Sequence, residues 1–168
     1  MAHLDGLTQV ANRRHFNQCL QQQWQNCLKS QQGLALILLD VDYFKLYNDH
    51  YGHLAGDDGL QRIAQGIQQG VEAVEGLVAR YGGEEFAVIL PRLSLEEAIT
   101  VAKLIQRAIA AQNLPHTPSP ISQLITLSIG LASQIPTPET TPDQLIQNAD
   151  QSLYEAKRLG RNQICYES

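Results

Sequence analysis

Positive charge is scarce in this sequence. Lys and Arg number 12 against 17 Asp and Glu, leaving a net charge of −5 at pH 7. Nonspecific nucleic-acid binding relies on clustered Lys and Arg, so no nucleic-acid partner is expected. An anionic nucleotide would need a bound cation and a few local basic residues. Long apolar runs are also missing: none approaches the ~20 residues that a membrane helix requires, and no membrane segment is expected. The opening Met1-Ala2-His3-Leu4-Asp5 lacks a basic stretch followed by an apolar one, so it does not read as a secretory leader. Cysteine is limited to Cys19, Cys27 and Cys165. An odd number without metal-ligand spacing reads as reduced thiols in a cytoplasmic protein. There is no internal repeat and no long linker.

What is present is enough for one folded domain. The chain has 168 residues, 43% hydrophobic and 17% charged, a composition that buries a core. Residues 1–30 are expected to form an N-terminal turn and lead-in helix of that domain, and a helix at the very start could also be the tail of a linker from a larger protein. From Asn12 to Ser30, Phe16, Leu20, Trp24 and Leu28 recur every four residues and predict one inward stripe. After Gly33, Leu34 to Leu39 is a short continuous apolar run, the pattern of a strand buried on both faces, and it ends in Asp40-Val41-Asp42. Short helical patterns follow over Tyr43–His50 and Ala55–Gln69, separated by Gly52. Leu77–Tyr81 and Phe86–Leu90 predict a hairpin around Gly82-Gly83, whose glycines would accept the positive φ of a tight turn. Ser94 with Glu97 and Thr141 with Gln144 have capping-box spacing, and Pro142 suits the first helical position. These pairs open helices to Ala111 and to Gly160. Thr126–Ser133 and Gln163–Tyr166 complete the strands. The order predicts an α+β fold: a ferredoxin-like or polymerase-palm layer of about five mostly antiparallel strands, flanked by helices.

The chemistry begins with carboxylates. Asp40 ends the central strand, and Glu84 and Glu85 sit on the hairpin turn. If the hairpin pairs beside that strand, these acids meet at one sheet edge, where a cation would relieve their repulsion. An all-oxygen set suits Mg²⁺. The alternative is that Asp40 caps its strand and the Glu pair is solvated. Gly82 and Gly83 would let the backbone approach a ligand closely, or simply turn the chain.

Arg80-Tyr81-Gly82-Gly83-Glu84-Glu85-Phe86 is similar to the signature of the GGDEF diguanylate cyclase family in its Glu-for-Asp form. The resemblance extends to Asp40-Val41-Asp42-Tyr43-Phe44-Lys45, Asn48-Asp49, Gly52-His53 and Gly56-Asp57. It includes an opening Asp5-Gly6-Leu7-Thr8 with Asn12-Arg13-Arg14, a stretch Thr126 to Gly130, and a closing Ala156-Lys157 with Gly160-Arg161-Asn162. These motifs run in order from Asp5 to Ile164.

The resemblance implies a diguanylate cyclase that condenses two GTP into cyclic di-GMP and two pyrophosphates. Asp40, the Val41 carbonyl, Glu84 and Glu85 would hold Mg²⁺, with Mn²⁺ as a substitute. Glu84 would activate the ribose 3′-hydroxyl, and Lys45 would steady the leaving phosphates. Asn48 and Asp57 would read guanine, Lys157 and Arg161 would meet the triphosphate, and Gly83 and His53 would border the substrate. The ordinary readings are a helix-end polar pair for Asn48-Asp49, an acid near a helix N-terminus for Asp57, and C-terminal helix cations for Lys157 and Arg161. His53, like most lone histidines, would be structural. Asp5 would pair with Arg13 or Arg14, and Phe44 would belong to the core.

One domain would hold one GTP, so a second copy must face it in a homodimer. A sensory or receiver domain would precede the chain in a longer multidomain regulator. The rival reading is a catalytically weak GTP-binding receptor. One departure stands out: the Arg-x-x-Asp product site found in many such domains is replaced by Ala73-Val74-Glu75-Gly76.

Overall fold

The computed structural model describes residues 2–167. Leu34–Val41 forms β1, buried along its whole length. Its odd-numbered side chains, Ala35, Ile37, Leu39 and Val41, enter one core, whereas Leu34, Leu36 and Leu38 enter another. Burial on both faces explains the unbroken apolar run. The other strands are β2 (Leu77–Arg80), β3 (Glu85–Pro91), β4 (Leu127–Gln134) and β5 (Ile164–Tyr166). They form a five-stranded sheet in the order β2-β3-β1-β4-β5. All neighbours are antiparallel except the β4–β5 pair, so the expected α+β layer is the observed one.

The helices are α1 (Arg13–Ser30), α2 (Phe44–Tyr51), α3 (His53–Val71), α4 (Leu95–Ala111) and α5 (Pro142–Arg158). Apolar residues of α2, α3 and α4 fill the core on one face of the sheet, and those of α1 and α5 fill the other. Both capping boxes form, at Ser94/Glu97 and at Thr141/Gln144. Asn12 caps α1 by accepting from the His15 amide.

Three local expectations need correction. The buried stripe of α1 is Phe16, Leu20, Trp24 and Cys27, with Leu28 only half-buried. Steps of four overrun a repeat of 3.6 residues, so the stripe must drop back to a step of three. The third helix begins at His53 rather than near Ala55, because Gly52, at φ 91°, ends α2 and starts α3 in a single residue. Finally, Gly82 and Gly83 do not use positive φ, which among glycines occurs at Gly52 and Gly160. At Gly82 the missing Cβ leaves space for the Glu85 side chain instead.

No helix among the described residues is long and apolar enough to cross a membrane.

Candidate functional site

The register between β1 and β3 sets Asp40 directly opposite Glu85, and the register between β1 and β4 sets it opposite Ser128. Facing residues in an antiparallel pair project to the same side, so the two carboxylates share one surface at the end of the central strand. The Val41 amide donates to the Glu84 carbonyl at 3.2 Å, tying the turn to the strand end. Gly82 makes room here: a Cβ on it would lie 2.8 Å from Glu85 Oε2. Around Gly83 a Cβ would meet nothing within 4 Å, so that side of the turn is open to a ligand.

Lys157, in the last turn of α5, pairs through Nζ with Asp40 Oδ2. Its reach depends on Gly130 in β4, where a Cβ would sit 2.2 Å from the Leu153 amide nitrogen; only a bare backbone lets α5 lie this close. Glu85 titrates above the ordinary carboxylate range. Burial is the main cause, and repulsion from Asp40, Glu84 and Asp150 adds to it against the pull of Lys157.

Asp42 is the most enclosed acid of the site, 1% exposed. Its Oδ2 accepts from Thr126 Oγ1 at 2.7 Å and from the Asn162 amide at 3.0 Å, and its Oδ1 accepts from Ser128 Oγ at 2.5 Å. Arg161 Nη1 lies 3.8 Å from Oδ1, and its guanidinium lies 4.7 Å from the centre of the Tyr43 ring. Asp42 therefore joins the end of β1 to β4 and to the turn after α5, where Arg161 and Asn162 are both left-handed, at φ 64° and 50°.

The signature turn has a further brace that sequence reasoning missed. Arg80 donates to the Gly83 carbonyl from Nε at 3.1 Å and from Nη2 at 2.9 Å. Its Nη1 reaches Asp5 Oδ2 at 3.3 Å, so Asp5 pairs with Arg80 rather than with Arg13 or Arg14. Asp5 also accepts from the Thr8 hydroxyl at 2.7 Å and the Thr8 amide at 2.9 Å. Burial alone would raise the Asp5 pKa, but the Thr8 bonds and Arg80 outweigh it and hold the carboxyl below its usual range. Arg13 donates to the Tyr81 carbonyl at 2.8 Å and lies 3.6 Å from the centre of the Tyr81 ring. The one available signal was Arg80 itself, two residues ahead of the glycine pair.

The remaining candidates lie on α2 and α3. Asn48 leans on Gly56, where a Cβ would lie 1.8 Å from Asn48 Oδ1. That oxygen is buried against the helix without a hydrogen-bond partner. Asp57, next to Gly56, is exposed. Lys45 is exposed in the first turn of α2, and His53 is exposed at the start of α3. Phe44 and Tyr47 belong to the core and stack with ring centres 5.9 Å apart.

Among the described residues no three His, Cys, Asp or Glu side chains converge as a self-sufficient metal cage. A pair of facing carboxylates plus a main-chain carbonyl is nonetheless a donor set for Mg²⁺, which typically keeps water and substrate phosphates as its other ligands.

A family model described as "Diguanylate cyclase, GGDEF domain" matches residues 2–163. The chain is 33% identical over 162 residues to the probable diguanylate cyclase DgcC of Escherichia coli K12, covering 96% of this chain and 42% of that protein. It spans less than half the length of such curated relatives. Among solved structures, the GGDEF domain of DgcB from Caulobacter crescentus in complex with c-di-GMP superposes with a TM-score of 0.88 at 33% identity, covering 99% of this chain and 96% of that one. The active GGEEF domain of a diguanylate cyclase from Vibrio cholerae gives 0.85 at 30% identity, with 95% and 99% covered.

Proposed function

Because this chain belongs to the GGDEF family of diguanylate cyclases, we propose that it condenses two GTP into cyclic di-GMP, releasing two pyrophosphates. The observation that carries the reading is the facing of Asp40 and Glu85 across β1 and β3, beside an open Gly83 and within reach of Lys157.

In this reaction the 3′-oxygen of one GTP attacks the α-phosphorus of another, pyrophosphate leaves, and the exchange repeats to close the ring. Asp40, Glu85, Glu84 and the Val41 carbonyl would hold Mg²⁺ or Mn²⁺. The ion supplies neutralisation of charge on the phosphates when bound. Glu84, half-buried on the turn, takes the proton of the attacking 3′-hydroxyl. Lys45 steadies the leaving phosphates. Lys157 and Arg161 face the triphosphate from the end of α5, and an incoming phosphate competes with Asp40 and Asp42 for them. Asn48 and Asp57 read the base: Asp57, which is exposed, accepts from the guanine N1–H and amino group, donors that adenine does not offer together. The rest is positioning. Each domain holds one GTP, so two copies face each other, and a regulatory domain precedes this one in the longer protein.

The test is incubation of concentrated protein with GTP and Mg²⁺, with mass identification of products. Cyclic di-GMP and pyrophosphate are expected, at a rate per chain that rises with protein concentration. GTP binding without product at any concentration would replace the cyclase with a nucleotide receptor.

A further inference from the structure

The segment between α4 and β4 plays no part in the chemistry above, yet it holds α2 at both ends. His116 is 1% exposed, and its Nε2 lies 3.0 Å from the Tyr43 carbonyl oxygen. A carbonyl only accepts, so Nε2 carries its proton and donates. Its Nδ1 is buried without a partner. Tyr43 precedes α2 in the left-handed region, at φ 54° and ψ 38°, and α2 has no side-chain cap. A residue with a Cβ disfavours that conformation, so the turn into α2 needs external support. The same carbonyl accepts the first helical bond of α2 from the Tyr47 amide at 3.1 Å. The Tyr47 ring meets His116 edge-on, with ring centres 5.2 Å apart.

At the other end of α2, the Thr117 amide donates to the Tyr51 hydroxyl at 3.0 Å, and the Thr117 hydroxyl lies 3.1 Å from the same oxygen. Thr117 Oγ1 is also 3.4 Å from His50 Nε2. The gripping segment is itself anchored: the His116 amide donates to the Gln123 carbonyl and the Ile125 amide to the Leu114 carbonyl, both at 2.8 Å.

We propose that His116, assisted by Thr117, is a positioning residue for the nucleotide. It fixes the turn at Tyr43 and the register of α2, and so sets where Lys45 meets phosphate and Asn48 meets the base. The inference rests on the GTP reading of that face, but His116 touches no substrate.

The test compares His116→Phe, which keeps a ring but loses the donor, with His116→Gln, whose amide nitrogen can reach the place of Nε2. Tyr51→Phe probes the second grip. Hydrogen exchange of residues 44–51 without nucleotide should quicken at least tenfold in H116F. The KM for GTP should rise at least fivefold in H116F, while kcat falls by a smaller factor. H116Q should restore both, and Y51F should move both in the same direction by less. Equal behaviour of H116F and H116Q, or an unchanged KM in H116F, would overturn the proposal. If the His116 variants fail to fold, an unchanged exchange rate and KM in Y51F would overturn it and the smaller shifts would support it. A native chain that neither binds nor converts GTP would overturn the functional reading and the nucleotide half of this inference, while the exchange comparison would decide the clamp on its own.

Discussion

Replacing Asp42 separates architecture from chemistry at this site. The carboxylate is 1% exposed and accepts from Thr126 Oγ1, Ser128 Oγ and the Asn162 amide. Asp42→Ala leaves all of these donors without their acceptor. A buried donor stripped of its partner costs about 1–3 kcal/mol. The two hydroxyls can rotate toward other acceptors and fall at the low end, and the Asn162 amide falls there too, because Asn162 is exposed and water can replace the acceptor. The sum is about 2–4 kcal/mol, a sizeable share of the roughly 5–15 kcal/mol that holds a domain together. Asp42→Asn keeps the shape and one acceptor oxygen and should cost about 1–2 kcal/mol through the lost charge assistance. The assay is urea unfolding followed by far-UV circular dichroism, with an unchanged slope showing that the folded and unfolded ensembles are otherwise the same. The pairing with Ser128 adds a control: Ser128→Ala should cost less in an Asp42→Ala background than in the native chain. An Asp42→Ala variant within about 0.5 kcal/mol of native, the range of ordinary surface changes, would refute the argument that Asp42 locks β1 to β4 and to the turn after α5.

Asp40→Asn and Glu85→Gln should each abolish cyclic di-GMP formation, because each removes an anionic ligand from a site whose substrate is also anionic; near-native rates at limiting Mg²⁺ would remove that residue from the metal site. Asp57→Ala should weaken GTP binding by about 1–3 kcal/mol through the unpaired base donors and ATP binding by less, as titration calorimetry of both nucleotides would show. Asp5→Asn should destabilise at pH 7, and the deficit should shrink as pH falls toward 3: a depressed folded pKa contributes stability above the unfolded value, 3.8, and loses it as pH drops through the folded one. Initial rates against added cyclic di-GMP should show no noncompetitive inhibition at low micromolar product. Ala73 has no donor, Glu75 is occupied by Arg92, and a side chain at position 76 would begin 2.7 Å from Val71 Cγ1 and 2.9 Å from Leu90 Cδ2.

The starts of α4 and α5 were legible because their signals are local: a capping box satisfies amides within four residues of itself. Both boxes formed where the spacing put them. The unbroken run before Asp40 announced a strand buried on both sides, and that burial is what the sheet delivers. The glycine pair was misread for a physical reason. Composition shows that a Cβ is missing but not whether the backbone or the space needs it gone, and at Gly82 it is the space beside Glu85. Asp5 was assigned to the nearer arginines in sequence, whereas the sheet brings Arg80 to it from 75 positions away.

By itself, the order of residues determined the element types, the caps, the buried central strand and the acid-bearing turn, since each depends on neighbours within a few positions. Only the tertiary structure decided which acids meet and what holds them. Asp40 faces Glu85 through the β1–β3 register, Lys157 arrives because Gly130 lets α5 settle onto the sheet, and Asp42 turns inward as a tie rather than outward as a ligand. His116, from a loop 73 positions beyond Tyr43, steadies the turn into α2. Such partnerships are set by strand register and helix approach, which depend on the packing of the whole core and leave no periodic trace along the chain.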